Sequence, residues 1–152
     1  MHQYTSGSIV SPAAGADISY VLSNRDSVRL TTLRAKLVTS ATVANRYGHF
    51  QFVDPSGDIL HEVVAQAAQA AGATVTYDLV GVSGSMTEGS SVYDGLSSLP
   101  LPDLWFPPGT SIVTKTTGIQ AGDQWSSIFF TALVGREWEH LELLAEIAQS
   151  MG

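Results

Sequence analysis

The sequence predicts an all-β protein: an antiparallel β-sandwich, jelly-roll-like, of about eight strands. Short runs of alternating apolar and polar residues recur along the chain, separated by turn-forming residues, which is typical of sandwiches. The segment Leu99 to Val134 holds four of the six prolines and two of the three tryptophans. It contains two strands joined by glycine turns, the expected closing pair of the sandwich.

The bulk composition limits the kinds of function to consider. We expect one sandwich domain at 18–134, preceded by an N-terminal arm at 1–17 and followed by a C-terminal amphipathic helix at 135–152. The chain has no cysteine, so disulfides, thiolate metal sites and cysteine catalysis are excluded. Its net charge of −7 argues against a nucleic-acid partner. No apolar run approaches the ~20 residues that a membrane helix needs, and the N-terminus lacks a signal-peptide pattern, so we expect a cytoplasmic origin.

The predicted arm is small and polar, with Ile9 and Val10 as its apolar pair. We expect it to be ordered only where a neighbouring subunit or the edge of the sandwich receives it. Ile9 and Val10 are therefore candidates for a subunit interface.

The strand at 27–39 carries the clearest pattern in the chain. By strict alternation, Val28 and Leu30 face one side, while Leu33, Ala35 and Leu37 face the other. A β-bulge at Thr31-Thr32 adds one residue and returns both sets to the core. The bulge then directs Arg29, Arg34 and Lys36 to solvent.

The remaining strands are separated by recognisable turns. Asp54 to Asp58 is a predicted hairpin turn, 65–73 is a predicted loop, and 81–95 is a long glycine- and serine-rich connection. The predicted strands are 18–22, 27–39, 48–54, 58–65, 73–80, 95–101, 110–117 and 124–134.

After the last predicted strand, apolar residues recur at helical spacing and acidic residues occupy the opposite face. Such a stripe has to be covered, and the sandwich is already complete at Val134. We therefore predict a contact between subunits. The interface candidates in this stripe are Trp138, Leu141, Leu144, Ala148 and Met151.

Few residues form a pattern that indicates chemistry. His49 and His61 would begin a zinc site if they faced each other across the hairpin, but the sequence offers no third ligand. Asp54 and Asp58 fit either calcium binding or, more commonly, stabilisation of their own turn. The serines lack a nucleophile-elbow context, and the glycines match no phosphate-binding loop. We therefore expect no enzyme, no metal and no cofactor.

Three aromatic residues allow two interpretations. Trp105, Phe106 and Trp125 would either form an aromatic platform for sugars or fill the ends of the core. Burial is the usual situation for single large aromatics, so we favour the second interpretation.

Three segments resemble small β-sandwich structural proteins of tailed bacteriophages, of the head decoration or minor capsid type. They are "LVTSATVANR" at 37–46, "LPLPDLWFPPG" at 99–109 and "GIQAGDQWSSI" at 118–128. The resemblance spans about residues 18 to 134 and leaves out the arm and the C-terminal helix. It implies no catalytic residues.

The expected function is that of a bacteriophage virion structural protein, a capsid decoration, cement or minor head protein that stabilises the particle through subunit contacts. The expected partners are other virion proteins, such as major capsid, neck or tail subunits. Copies of the same chain are also expected, with a trimer among the arrangements considered, and the expected location is the virion, assembled in the host cytoplasm. The alternative is a tail, baseplate or fibre domain that binds host surface glycan near Trp105 and Tyr93. A hydrolase or lyase on a jelly roll is a distant third.

Overall fold

A computed structural model describes residues 2–81 and 95–135, and this part of the chain is all-β. No helix in it is long and apolar enough to cross a membrane. Its strands are β1 (His2–Ile9), β2 (Ser19–Val21), β3 (Ser27–Val38), β4 (His49–Val53), β5 (Ile59–Val64), β6 (Thr74–Gly81), β7 (Leu96–Leu101), β8 (Ser111–Thr114) and β9 (Gln124–Gly135).

The strands form two sheets around one core. The five-stranded sheet has the order β1-β9-β3-β6-β7, and the four-stranded sheet has the order β2-β8-β4-β5. Phe50 of β4 packs against Tyr77 of β6 and Trp125 of β9, with ring centroids 5.8 and 5.7 Å apart. Because these rings come from opposite sheets, the alternating apolar faces of both sheets bury one shared aromatic centre.

All eight predicted strands are present, with ends shifted by no more than three residues, as where predicted 110–117 is observed as Ser111–Thr114. The predicted loop at 65–73 is also confirmed. The alternation of side chains therefore locates the strands of this chain well.

The predicted bulge in β3 is confirmed. The pairing between β3 and β9 shifts register between Leu30 and Thr32, so Thr31 is the extra residue. Val28, Leu30, Leu33, Ala35 and Leu37 are all buried in the same core. One extra residue thus places both sets of the alternation on the core side.

The first segment is received by the edge of the sandwich, one of the two arrangements expected for the arm, and it forms a strand that was not predicted from the sequence. His2–Ile9 is a strand, β1, which pairs antiparallel with β9 along its whole length. Within the predicted arm at 1–17, these residues are therefore an edge strand of this chain's own sandwich. The alternation of apolar and polar residues did not reveal this strand, because Ile9 is the one buried side chain among those described in β1. β1 is held to β9 by hydrogen bonds between backbone groups.

The predicted purely antiparallel arrangement is wrong at one pair. β7 lies parallel to β6, with Thr76 opposite Leu96 and Gly81 opposite Leu101. Parallel neighbours need a connection of about a dozen residues or more, and the long sequence between Gly81 and Leu96 satisfies that need. The predicted C-terminal helix and most of the 81–95 connection lie outside the described residues.

Candidate interaction surface

The outward side of the five-stranded sheet, called here the outer face, is the most distinctive surface of the described residues. Cross-strand pairing aligns its side chains in rows that run across β1, β9 and β3. The rows are Tyr4, Leu133 and Arg29; Ser6, Thr131 and Thr32; and Ser8, Phe129 and Arg34.

The bulge shapes the centre of the outer face. Because Thr31 is an extra residue, both it and Thr32 lie next to Thr131. The hydroxyl of Thr131 is 2.6 Å from the hydroxyl of Thr31 and 2.6 Å from that of Thr32. The device that returns the apolar residues to the core therefore also builds a cluster of three hydroxyls on the surface.

A shallow depression of about 360 Å³ lies beside this cluster. It is lined by residues of β1, β3 and β9, four of which carry hydroxyl groups. The side chain of Phe129, one of the lining residues, is 44% exposed. The lining residues are Ser6, Gly7, Ser8, Thr32, Phe129, Phe130 and Thr131. An exposed ring among hydroxyls suits contact with a protein surface or with the apolar face of a sugar.

The charges on the outer face are largely paired with one another. Arg34 donates to Asp78 at 3.1 Å, and Arg29 forms an ion pair with Asp103. Both pairs are partly exposed, so each is worth at most about 1 kcal/mol of stability. Their effect is to leave the face nearly neutral, although the whole chain carries a net charge of −7.

A buried ion pair fixes the loops at one end of the sandwich. Arg46 and Asp123 are both fully buried. Asp123 also accepts hydrogen bonds from the backbone N–H groups of Ser40 and Gln120, at 2.8 Å each. Burial by itself raises the pKa of Asp123, but these hydrogen bonds and the Arg46 charge outweigh it and hold the pKa at about 2.

A second polar cluster joins β2 to β8. The Asp17 carboxylate accepts hydrogen bonds from the Thr114 hydroxyl at 2.9 Å and from the Thr116 hydroxyl at 2.6 Å. Asp17 also lines a depression of about 210 Å³ with His49, Lys115, Thr116 and Thr117. Because the carboxylate is already engaged by two hydroxyls, its evident role is to anchor the chain before β2.

The two described members of the predicted interface set lie in different environments. Ile9 is buried in this chain's own core, so it is not available to another subunit. Its neighbour Val10 is 90% exposed. Tyr93, Trp138, Leu141, Leu144, Ala148 and Met151 lie outside the described residues.

The aromatic residues divide between the two interpretations. Trp125 is fully buried, with its indole N–H donating to the Thr116 hydroxyl at 3.1 Å. Phe106 is buried and stacks on Phe52, with centroids 4.6 Å apart. These two fill the core as predicted. Trp105 differs, because its ring lies beside Gly135 and is 40% exposed.

The condition for a histidine-based zinc site, that His49 and His61 face each other, is not met. In the β4–β5 hairpin His49 lies opposite Val64, and His61 lies opposite Phe52, so the two rings do not face each other. Within residues 2–81 and 95–135, no three potential metal ligands cluster. Asp54 accepts hydrogen bonds from the N–H groups of Ser56 and Asp58, both at 2.9 Å, which is the turn-stabilising role.

Sequence reasoning missed Phe129 as a surface residue, although a signal was present. Phe129 and Phe130 are consecutive in a strand, and consecutive strand residues point to opposite sides. One of the two rings therefore had to face outward. The hydroxyl cluster had no such signal, because Thr31 and Thr131 are brought together only by the register of β3 against β9.

Comparisons with known proteins identify no family. No family model matches the chain, and no curated protein matches it. Among solved structures, PfGH50B is similar at 10% identity over 88% of this chain and 22% of that one, with a TM-score of 0.39. A structure of the infectious bursal disease virus Gx strain is similar at 17% identity over 88% of this chain and 29% of that one, with a TM-score of 0.29. The VP2 subviral particle of that virus is similar at 16% identity over 88% of this chain and 32% of that one, with a TM-score of 0.29.

The chain thus spans about a fifth to a third of the length of these structures. At such identities and TM-scores, the similarity indicates neither an activity nor a partner for this chain.

Proposed function

We propose that this chain is a virion structural protein of a tailed bacteriophage, of the head decoration, cement or minor capsid type. The observation that carries the proposal is the strand order. If β7 is left out, the sheets have the orders β1-β9-β3-β6 and β2-β8-β4-β5. When the eight remaining strands are counted along the chain, these orders become 1-8-3-6 and 2-7-4-5. That is the order of a jelly roll, an architecture shared by viral capsid and lectin domains.

Because proteins with different functions share this architecture, we use the properties of the surface to distinguish between these functions. The outer face offers exposed Tyr4 and Phe129 among hydroxyls, and its two arginines, Arg29 and Arg34, are each paired with an aspartate. Such a face suits close packing with other subunits, because few isolated charges have to be stripped of water. The partners we propose are other virion proteins and further copies of the chain, at a virion location. No catalytic, metal or cofactor role is proposed.

The experiment is to purify filled particles of the phage that encodes the chain on a density gradient. Quantitative mass spectrometry is then applied to the particle fraction. We expect the chain to co-sediment with filled heads in a fixed ratio to the major capsid protein. A chain found only in the soluble lysate fractions contradicts a structural role.

A glycan-binding tail, baseplate or fibre domain is the second candidate, and the exposure of Trp105 favours it. Trp105 is 40% exposed in the segment between β7 and β8, and exposed rings are common sugar platforms. A glycan array probed with the isolated protein tests this candidate. Binding that is lost in Trp105→Ala and kept in Phe129→Ala supports it, whereas no binding to any glycan counts against it.

A further inference from the structure

The edge strands of the two sheets differ in how they are protected from pairing with another chain. The edges are β1 and β7 in one sheet, and β2 and β5 in the other. Proteins block such edges with proline, with charge or by keeping the strand short. β7 contains Pro100, β5 contains exposed Glu62, and β2 has three residues.

β1 has none of these protections. Its eight residues include no proline, lysine, arginine, aspartate or glutamate. One side of β1 pairs with β9, and the other side pairs with no strand of the described residues. Among the described residues, β1 therefore presents a long ladder of backbone donors and acceptors without acidic, lysine or arginine side chains.

Two large apolar side chains lie near the two ends of this ladder. Tyr4 is 73% exposed and Val10, one residue past the end of β1, is 90% exposed. By alternation they share the outward side with Ser6 and Ser8. On the inward side, Ile9 is buried and Gly7 lies against the ring of Phe130.

We propose that β1 pairs antiparallel with β1 of a second copy, with Gly7 on the two-fold axis. The two five-stranded sheets then continue into one another across the edge. In this register Tyr4 lies opposite Val10 of the second copy, and Ser6 lies opposite Ser8. Each contact occurs twice, because a two-fold interface repeats every pair.

The second copy is the partner favoured by charge and by shape. In the register centred on Gly7 no two like-charged side chains of β1 lie opposite each other, because β1 has no acidic, lysine or arginine residue and His2 lies opposite Pro12. Pairing of β5 with its own copy would instead bring two Glu62 side chains into one interface. The register centred on Gly7 makes an aromatic–valine pair, which is a favourable cross-strand combination. With the axis on Ser6, Tyr4 lies opposite Ser8 and Val10 opposite His2. With the axis on Ser8, Tyr4 lies opposite Pro12, so neither neighbouring register keeps the tyrosine–valine pair.

This inference rests on the proposed function and deepens it, because it names the surface through which copies assemble. It is nevertheless tested in solution without particles. The chain can dimerise and still be absent from virions, or be present in virions as a monomer. The two failures are therefore distinguishable.

The register is tested with cysteines, which the natural chain lacks. In the full chain carrying Tyr4→Cys and Val10→Cys, the two thiols of one strand are roughly 20 Å apart, at about 3.3 Å per residue, and cannot bond to each other. Across the proposed axis they face each other. We expect mild oxidation to give a covalent dimer on a non-reducing gel.

The matched controls are the single variants Tyr4→Cys and Val10→Cys, in which each thiol faces a tyrosine or a valine. We expect the single variants to stay monomeric on the gel. A double variant that forms no dimer overturns the proposal, and so do single variants that cross-link as readily as the double variant.

A charge test addresses the pairing itself. Ser6 and Ser8 are exposed, so the variants Ser6→Lys/Ser8→Lys and Ser6→Glu/Ser8→Glu keep the core unchanged, which thermal unfolding checks. By sedimentation velocity, we expect each variant to be a monomer alone and a mixture of the two to form heterodimers. Variants that each dimerise as the natural chain does overturn the proposal.

Discussion

Arg46 and Asp123 form a fully buried ion pair with two parallel hydrogen bonds, although they lie 77 positions apart in the chain. Nε of Arg46 lies 2.9 Å from Oδ2 of Asp123, and Nη2 of Arg46 lies 3.0 Å from Oδ1. Arg46 also donates to the carbonyl of Ala44 at 2.7 Å. The pair therefore fixes the loop before β4 against the turn before β9.

Removing one partner of this pair should be strongly destabilising. Arg46→Met leaves the Asp123 carboxylate buried without its cation, and such losses cost about 3–5 kcal/mol. Urea unfolding followed by tryptophan fluorescence measures the change in the free energy of unfolding. Arg34→Met is the matched control, because Arg34 forms an exposed pair with Asp78 whose loss costs less than about 1 kcal/mol. Equal effects of the two variants contradict this account.

The same carboxylate should make the protein sensitive to acid. The pKa of Asp123 is lowered from 3.8 to about 2 in the folded protein. A carboxyl group with a lowered pKa stabilises the folded protein at pH values above the pKa that the group has in the unfolded chain. That stabilisation is lost as the pH falls from about 4 to about 2. The expected loss is on the order of 2 kcal/mol, from about 1.4 kcal/mol per pKa unit.

Urea unfolding at several pH values across this window measures the acid sensitivity. Asp78→Asn removes the carboxylate of an exposed ion pair. In this variant the free energy of unfolding should depend on pH nearly as it does in the natural chain. A stability that stays constant between pH 4 and pH 2 would contradict the proposed role of Asp123.

Sequence reasoning located the strands and the bulge because both depend on local alternation. The bulge at Thr31-Thr32 could be located because two apolar residues before it and three after it must all reach one core. Arg46 could not be identified. It is one charged residue in a polar loop, and its partner is remote in sequence, so no local pattern indicates their burial.

The edges of the sheets were also hard to predict, for a related reason. β1 is held mainly by backbone pairing with β9, and backbone groups are the same in every sequence. The parallel pairing of β7 with β6 likewise depends on the path of the chain and not on alternation. Of the candidate surface, the outward direction of Arg29, Arg34 and Lys36 was predictable.

Two glycines with positive φ provide a paired test of packing. Gly118 has φ of +75°, and an added Cβ would collide with the backbone carbonyl of Asn45. Gly57 has φ of +90° with open space around it. Gly118→Ala should therefore cost clearly more than Gly57→Ala, for which we expect about 1 kcal/mol from the backbone conformation alone.

Thermal and urea unfolding of the two alanine variants give the comparison. Because φ is similar at both positions, the difference between them isolates the steric clash. Equal destabilisation would show that the chain around Asn45 relaxes without cost.

The sandwich should fold without the residues that follow β9. β9 ends at Gly135, and the described residues of both sheets already form one apolar core. A chain truncated after Gly135 should keep a cooperative thermal transition and lose its binding to particles, because the apolar stripe with Trp138 and Leu141 is removed. Dimerisation through β1 should persist. Outright unfolding of the truncated chain would place the missing residues in the core.

The central claim is that this sandwich is a structural subunit of a phage particle, and a map of the assembled particle at side-chain resolution tests it most directly. The account predicts density for the two sheets at regular positions on the head, with the outer face or the residues after Gly135 against neighbouring subunits. It also predicts β1 strands paired across two-fold contacts wherever copies are adjacent. A complete particle map in which every density is assigned to other proteins, with none for this chain, would contradict the claim.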